Sequence, residues 1–188
     1  MPNYRRAFVP GGCWFFTVNL LDRRQTLLVD HIADLREAVA ATRQTHGFEI
    51  IAFVVLPDHL HAIWSLPPGD SDFSTRWRLI KSRFAKTLPK DERRSAVRVA
   101  RNERGNWQRR FWEHLIRDEA DYARHVEYCW INPLKHGLVA RVSDWPHSSF
   151  HRDVRAGLVP IDWGGAIDIP GDLAKDNDRR ATRRITLR

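Results

Sequence analysis

Cysteine is scarce in this chain of 188 residues, which contains only Cys13 and Cys129. Two thiols are too few for a disulfide framework or for a zinc site built from four thiolates, and they suit a reducing compartment. Long apolar runs are also missing, and the first residues lack the apolar segment of a signal peptide. These absences exclude a disulfide-stapled fold and a membrane-spanning helix, so we expect a cytoplasmic protein with no membrane partner.

Positive charge exceeds negative charge, with 31 Lys and Arg against 23 Asp and Glu and a formal net charge of +8 at pH 7. This surplus favours a polyanionic partner, although a basic surface also keeps proteins soluble or docks them on anionic lipid. Eight Trp residues lie among the arginines, a mixture that suits stacking on unpaired bases while neutralising phosphates. Nucleic acid is therefore the expected partner, unless most of these Trp side chains belong to the core.

Apolar and β-branched residues form four runs that predict strands, over residues 13–21, 48–56, 59–66 and 107–116. Pro57 and Asp58 between the second and third runs favour the turn of a hairpin. Residues 90–106 are polar, rich in arginine and aperiodic, which predicts a flexible loop before the last strand.

Apolar residues at helical spacing predict three helices, over residues 30–46, 71–88 and 118–132. Asp30 is a suitable N-cap for the first helix, and Ser71 or Asp72 for the second. Pro133 and then Gly137 are expected to stop the third helix. The order β-α-β-β-α-β predicts an α+β fold of the ferredoxin-like split βαβ type, with an antiparallel sheet and an additional C-terminal helix.

The length of the chain suits one domain, which we expect to span residues 1–150. Residues 151–188 would then form a C-terminal extension. Its last part, from Gly165 onward, is polar and basic and is expected to be disordered when free.

His59 and His61 are the most informative pair in the chain, because one residue separates them at the start of a predicted strand. Alternate side chains of a strand point to the same face, so the two imidazoles converge. Imidazole is the commonest side-chain metal ligand, and such a pair is half of a divalent-metal site. A hydrogen-bonded structural role is the alternative.

The third predicted helix contains a possible nucleophile. Its apolar stripe is Tyr122, Val126 and Cys129, which places Tyr122 in the core, and another face carries Asp121, Arg124, His125, Tyr128 and Asn132. Tyr128 lies one turn before Asn132, so its hydroxyl and the carboxamide can reach the same point. A phenol titrates near ~10 and needs a cation beside it to attack phosphorus at neutral pH. The hypothesis is a tyrosine nucleophile with a cation held by His59, His61 and Asn132, whereas a lone helical tyrosine is usually a half-buried amphipathic side chain.

Other side chains of interest are basic or aromatic. Six cationic residues can follow a nucleic-acid backbone, four of them on the second predicted helix and two at the start of the fourth predicted strand: Arg76, Arg78, Lys81, Arg83, Arg109 and Arg110. His114 and His125 are candidates for extra groups of the site, but we expect each to stack, to form hydrogen bonds or to be solvated. The residues leave four alternatives open, namely a nuclease that forms a covalent adduct, a metal nuclease that uses water, a non-catalytic nucleic-acid-binding protein and an RNA-recognition module. The last lacks its usual Gly-aromatic strand signature here.

Blocks of sequence resemble the REP-associated tyrosine transposases, relatives of the single-tyrosine transposases of the HUH endonuclease class. In order they are Tyr4-Arg5-Arg6 and residues 11–19, 57–64, 107–114, 128–137 and 145–150. The resemblance implies that residues 1–150 are one HUH transposase-like catalytic domain. It also implies a metal-dependent single-stranded DNA endonuclease and strand transferase that works at the nucleoid.

The same resemblance implies roles for individual residues. His59 and His61 would bind Mg²⁺ or Mn²⁺, with Asn132 as a further metal-site residue, and Tyr128 would attack a DNA phosphate to give a 5′-phosphotyrosine and a free 3′-hydroxyl. The substrates would be REP elements, which are DNA hairpins, and Tyr4, Arg5 and Arg6 would help to read the hairpin foot. The protein would act as a monomer or a homodimer. Ligand softness alone favours Mn²⁺, Zn²⁺ or Ni²⁺ over Mg²⁺ for two imidazoles, so the identity of the ion comes from the resemblance.

Overall fold

Residues 8–90, 92 and 94–164 are described by a computed structural model. Their centre is a sheet of four strands, β1 (Cys13–Asn19), β2 (Glu49–Val55), β3 (His59–Ser65) and β4 (Trp112–Leu115). The strand order is β2-β3-β1-β4, and all three neighbouring pairs are antiparallel. The described part of the chain has α-helices α1 (Leu27–Asp30), α2 (Ile32–Thr45), α3 (Phe73–Thr87), α4 (Ala96–Ala100), α5 (Glu119–Lys135) and α6 (Phe150–Arg155). The predicted α+β ferredoxin-like arrangement with an additional C-terminal helix is confirmed.

The alternation of side chains along the strands divides the core into two layers. Phe16 and Val18 of β1 belong to the layer packed by α2 and α3, whereas Phe15 belongs to the layer packed by α5 and α6. Asn19 and Thr17 lie opposite His59 and His61 in the β1–β3 register. Because directly opposed residues share a face, both histidines face the α5 layer.

The Trp side chains mainly serve this core. Five of the eight are buried, Trp14, Trp64, Trp77, Trp107 and Trp130, and the other three are half-buried. Trp64 and Trp77 stack with ring centroids 4.2 Å apart. Base stacking was one interpretation of their abundance, but packing of the two layers accounts for it.

Several predicted elements differ from the observed ones. Asp30 ends the extra helix α1 instead of capping α2, and its carboxylate accepts a hydrogen bond from the hydroxyl of Thr26 at 2.6 Å. The segment 90–106 contains α4, and Arg104 ties it to α3 by donating to the carbonyl of Ala85 at 2.6 Å. The fourth strand begins only at Trp112, while Trp107 forms an isolated bridge to Leu20.

The third predicted helix does not stop at Pro133, because α5 continues to Lys135. The amide of Gly137 donates to the carbonyl of Leu134 at 2.9 Å, and the amide of Leu138 donates to the carbonyl of Pro133 at 3.0 Å. Gly137 has a φ of +68°, so these bonds form a Schellman motif. A proline interrupts a helix through its missing N–H, and one lost bond in the last turn is tolerated when the glycine closes the end. The second helix begins as predicted, with Asp72 as its N-cap.

No helix among residues 8–90, 92 and 94–164 combines the length and the apolar character that crossing a membrane requires.

Candidate active site

His59 and His61 stand together at the start of β3, on the face of the sheet covered by α5. Their ring centroids are 5.0 Å apart and the rings are nearly perpendicular at 85°. Both side chains are buried. The strand geometry therefore brings the two imidazoles together as the sequence predicted.

Hydrogen bonds to Nδ1 orient each imidazole. The carboxylate of Asp58 lies 2.7 Å from Nδ1 of His59, and the guanidinium of Arg23 lies 2.6 Å from the same carboxylate. The hydroxyl of Thr17 lies 2.9 Å from Nδ1 of His61. With Nδ1 engaged in this way, Nε2 is the ring atom that remains for a ligand, as is common for metal-binding histidines.

Asp58 is an anion at neutral pH. Burial raises the pKa of its carboxyl, but the hydrogen bonds and charges of His59 and Arg23 outweigh that effect and lower the pKa to about 2. From the sequence, Asp58 is predicted only as a residue of the turn between β2 and β3. Its position directly before His59 is the signal that could have identified it.

His61 is neutral and has one unsatisfied nitrogen. Burial lowers its pKa well below the usual value, and the neighbouring charges of His59, His136 and Lys135 add to the shift. Nε2 of His61 is buried and finds no hydrogen-bond partner among the described residues. A buried polar atom without a hydrogen-bond partner lowers the stability of the folded protein unless a ligand binds it.

Tyr128 packs directly against His61. Their ring centroids are 5.1 Å apart at an angle of 73°, and Phe15 of β1 contacts both rings at 5.5 and 5.8 Å. The ammonium of Lys135 lies 5.1 Å from the centroid of the Tyr128 ring. Two distant parts of the chain, the start of β3 and the middle of α5, therefore meet in one place.

Asn132 lies one turn after Tyr128 and is fully buried. Neither its amide nitrogen nor its amide oxygen has a hydrogen-bond partner within the described part of the chain. The unpaired buried nitrogen of His61 beside His59, together with the unpaired amide oxygen of Asn132, suits a cation that accepts nitrogen and oxygen ligands. The residues present therefore fit the metal ion that the sequence predicts.

The core prediction for Tyr122 is wrong, because this side chain is 39% exposed. At that end of α5 the residues that face the sheet are Asp121 and His125, which are both buried. His114 of β4 holds them there, with Nε2 at 2.8 Å from the Asp121 carboxylate and its ring stacked on that of His125 at 4.7 Å. The expected stacking and hydrogen-bonded roles of His114 and His125 are confirmed.

The prediction that Arg76 belongs to the DNA-binding surface is wrong, because this residue is buried and only 3% exposed. Its guanidinium pairs with Asp70 at 2.6 Å and donates to the backbone carbonyls of His46, Gly47 and Asp72. A guanidinium with these internal acceptors has little left to offer a phosphate. Arg76 is therefore a structural residue that fixes the start of α3.

The other predicted DNA contacts of the described chain lie at the surface or near it. Arg78, Arg109 and Arg110 are exposed, whereas Lys81 donates to the carbonyl of Gln108 at 2.9 Å and Arg83 donates to the hydroxyl of Thr42 at 2.6 Å. Tyr4, Arg5 and Arg6, and the tail from Gly165 onward, lie outside the described residues.

A cleft of about 840 Å³ lies between α3 and the segment that contains α4. Within the described part of the chain, the cleft is lined by one acidic residue, Glu103, and by the cationic residues Arg78, Lys81, Lys86, Lys90, Arg94, Arg98, Arg104 and Arg109. Such a concentration of positive charge suits a nucleic-acid backbone.

Comparison with known proteins agrees with this geometry. Residues 12–127 match the family described as Transposase IS200 like, a match that includes both histidines and ends just before Tyr128. The REP-associated tyrosine transposase of Escherichia coli K12 is 51% identical over 167 residues, covering 89% of this chain and 93% of that protein. A putative REP-associated tyrosine transposase of Haemophilus influenzae is 48% identical over 176 residues, covering 92% and 100%.

A solved structure of a REP-associated tyrosine transposase bound to a REP hairpin is also similar. It superposes with a TM-score of 0.77 at 51% identity and covers 90% of this chain and 93% of that one. The chain therefore belongs to the IS200-like transposases, a family of enzymes, and within them to the REP-associated tyrosine transposases.

Proposed function

We propose that this transposase cuts and rejoins single-stranded DNA at REP-type hairpins, with Tyr128 as the nucleophile and a divalent cation, Mg²⁺ or Mn²⁺, held by His59, His61 and Asn132. One observation carries the proposal, which is the packing of the Tyr128 ring against the His61 ring beside a buried, unpaired Nε2. Residues 1–150 would form the catalytic domain, and residues 151–188 an extension to it.

The reaction follows from the chemistry of a phenol. The Tyr128 hydroxyl loses its proton, its oxygen bonds to phosphorus, and the bond from phosphorus to the 3′ oxygen breaks, leaving a 5′-phosphotyrosine and a free 3′-hydroxyl. When bound, the cation supplies positive charge beside the scissile phosphate and offsets the charge that develops there. The covalent phosphotyrosine conserves the phosphodiester, so a 3′-hydroxyl can later reverse the attack and rejoin the strand.

The chain itself supplies further positive charge near the reacting atoms. Arg23 and Lys135 both act electrostatically on His61, and Lys135 lies over the ring of Tyr128. Asp58 and Thr17 hold the two imidazoles in orientation, so the protein does not have to reorganise when the ion arrives. These contacts favour the binding of a phosphate next to the phenol.

Recognition of the DNA would use the basic surface. We propose that Arg78, Lys81, Arg83, Arg109 and Arg110 contact the phosphate backbone, and that Tyr4, Arg5 and Arg6 read the foot of the hairpin. The enzyme would work on chromosomal DNA in the cytoplasm, at the nucleoid. Sedimentation of the complex with a hairpin distinguishes a monomer from a homodimer.

A covalent trap tests the proposal. The protein is incubated with Mn²⁺ and a REP hairpin in single-stranded DNA labelled at its 3′ end, and a protein–DNA adduct that resists denaturant is measured on a gel. Tyr128→Phe is expected to abolish the adduct, whereas Tyr122→Phe, on the exposed side of the same helix, is expected to retain it. Removal of divalent ions by a chelator is expected to abolish it as well.

The remaining outcomes distinguish the alternatives. An adduct that persists in Tyr128→Phe would place the nucleophile elsewhere. Cleavage without an adduct, unchanged in Tyr128→Phe, would indicate a metal nuclease that uses water. Hairpin binding without cleavage by the wild-type protein would indicate a non-catalytic binding protein.

A further inference from the structure

A second group of potential metal ligands lies outside the site described above. His114 of β4 and Asp121 and His125 of α5 each offer one ligand atom, and these atoms all lie within 4.8 Å of one another. Nε2 of His114 is 2.8 Å from one carboxylate oxygen of Asp121, and Nδ1 of His125 is 3.2 Å from the other. A strand and a helix therefore bring three donor atoms within 4.8 Å of one another.

This cluster is separate from the histidine pair on β3. Phe15 contacts the ring of His125 at 4.8 Å and the ring of His61 at 5.5 Å, and its backbone partner on β4 is His114. The two groups of imidazoles therefore lie along the same face of the sheet, and the Phe15 ring contacts a member of each. The Phe15 ring also packs against Tyr128, the proposed nucleophile. Each group of imidazoles therefore has one member in contact with a residue that touches Tyr128.

The protonation states of the cluster suit a cation. Burial raises the pKa of Asp121, but hydrogen bonds from His114 and from the amide of Arg117 outweigh it and lower the pKa, which keeps the carboxylate ionised. Burial is the main cause that lowers the pKa of His125, so its imidazole is neutral at neutral pH. A carboxylate and a neutral imidazole are the forms that bind metal ions.

Accessibility and rigidity also fit. Asp121 and His125 are 6% and 3% exposed, whereas the side chain of His114 is 22% exposed and leaves a route from solvent. Asp121 and His125 are one helical turn apart on α5, which fixes their spacing. Arg124, at 3.4 Å from the Asp121 carboxylate, has a side chain that is half exposed to solvent.

We propose that His114, Asp121 and His125 form a second cation site, specific for a transition metal ion such as Zn²⁺ or Co²⁺, which fastens β4 to the first turns of α5. Two imidazoles and one carboxylate are a donor set for these ions and a poor one for Mg²⁺, which prefers oxygen ligands. The ion replaces the hydrogen bond between His114 and Asp121, and the His114 proton moves from Nε2 to Nδ1. His125 likewise exchanges its Nδ1 hydrogen bond to the Asp121 backbone oxygen, now 2.8 Å long, for the ion.

Metal binding by a protein without the β3 pair tests this proposal. The double variant His59→Ala/His61→Ala removes both imidazoles of the candidate site on β3. All nine histidines of the chain belong to the described residues, so the positions of the remaining imidazoles are known. Equilibrium dialysis with Zn²⁺ is expected to give one bound ion per chain in this variant, and Co²⁺ is expected to give the visible absorption of a nitrogen and oxygen ligand field. Circular dichroism confirms that the variant is folded.

Two further variants in the same background complete the test. His114→Gln keeps a hydrogen-bond donor for Asp121 but replaces the imidazole with an amide, which is a poor metal ligand. This variant is therefore expected to weaken Zn²⁺ binding at least tenfold. His31→Gln, which changes the His–Asp pair of His31 with Asp34 at 3.3 Å, is the matched control and is expected to bind as the parent does. Absence of bound Zn²⁺ in the double variant, or equal binding after His114→Gln, would overturn the proposal and leave the cluster as a hydrogen-bonded network only.

Thermal unfolding in the same background gives a second measurement. Zn²⁺ is expected to raise the melting temperature of the double variant His59→Ala/His61→Ala, and to raise it less when His114→Gln is added, since a ligand that binds only the native state stabilises it. Equal shifts in the two proteins would contradict a site at His114.

Discussion

The ring centroids of His61 and Tyr128 lie 5.1 Å apart, although His61 belongs to β3 and Tyr128 to α5. The Phe15 ring on β1 contacts both rings, with centroid distances of 5.5 Å to His61 and 5.8 Å to Tyr128. The arrangement depends on packing between three elements, since no local contact along the chain produces it.

Phe15→Leu is expected to lower the free energy of unfolding by about 1–2 kcal/mol and to slow adduct formation, because the two rings no longer share an aromatic neighbour. Phe48→Leu, in the other layer against Trp64 at 4.1 Å, is the matched control. It should cost similar stability and leave the adduct rate of the folded protein unchanged. Urea denaturation and adduct time courses measure the two effects. Equal adduct rates in both variants would show that Phe15 does not position Tyr128.

Asp58→Asn is expected to raise the Mn²⁺ concentration needed for half-maximal adduct formation by ~10–100-fold, because the carboxylate that orients His59 is lost. A titration of adduct yield against Mn²⁺ measures the shift. Asp34→Asn removes a carboxylate from another Asp–His pair, with His31, and should leave the titration unchanged. An unshifted titration in Asp58→Asn would mean that His59 needs no carboxylate to hold an ion.

Arg76 and Arg78 lie two residues apart on α3 and are expected to behave in opposite ways. Arg76→Met should lower the unfolding free energy by about 2–3 kcal/mol, because Asp70 loses its partner and the carbonyls lose their donor. Arg78→Met should leave stability within ~0.5 kcal/mol but reduce the slope of log binding constant against log salt by ~0.9 for each phosphate that is no longer neutralised. Hairpin binding at several salt concentrations measures the slope. An unchanged slope in Arg78→Met would remove this residue from the DNA surface.

Gly137→Ala is expected to lower the unfolding free energy by about 1 kcal/mol, because a φ of +68° is unfavourable for a residue with a Cβ atom. Added at this position, the Cβ would meet no atom within 4 Å among the described residues, so the cost is one of backbone conformation. Gly47 is the matched control, since it has equally open space and no positive φ. Gly47→Ala should be neutral or slightly stabilising in urea denaturation. The same loss in both variants would contradict this explanation.

The two thiols are expected to react slowly with disulfide reagents in the native protein. Burial and, to a smaller extent, the charge of Glu49 raise the pKa of Cys13 to about 11. Burial alone raises the pKa of Cys129, and by more than that of Cys13. At pH 8 the thiolate fraction of Cys13 is then ~10⁻³, whereas an unfolded thiol titrates near ~8.5.

A raised folded-state pKa also fixes the sign of the linkage for these thiols. The unfolded state loses thiol protons first, so their contribution to stability is complete below ~pH 8.5 and falls as the pH rises toward 11. Labelling rates at pH 8, with and without urea, measure the burial. Fast labelling of the native protein would show that β1 or α5 opens readily.

Much of the fold follows from local patterns. The strand periods around His59, the Asp72 cap and the order of elements predict a ferredoxin-like sheet, because alternation and helical spacing report which faces are buried. Boundaries were harder to predict where two signals compete. Pro133 indicates a helix stop, yet the Schellman motif at Gly137 decides the end of α5, and that motif depends on the backbone conformation and hydrogen bonds that follow the proline.

The site divides in the same way. The sequence by itself determined that His59 and His61 share a face and that Tyr128 and Asn132 share a helical turn, because these relations depend only on the geometry of one strand and one helix. Only the tertiary structure decided that Tyr122 is exposed, that Arg76 is buried, and that Thr17 meets His61. Those facts depend on strand register and on which helix face covers the sheet, and contacts between residues far apart in the chain set both.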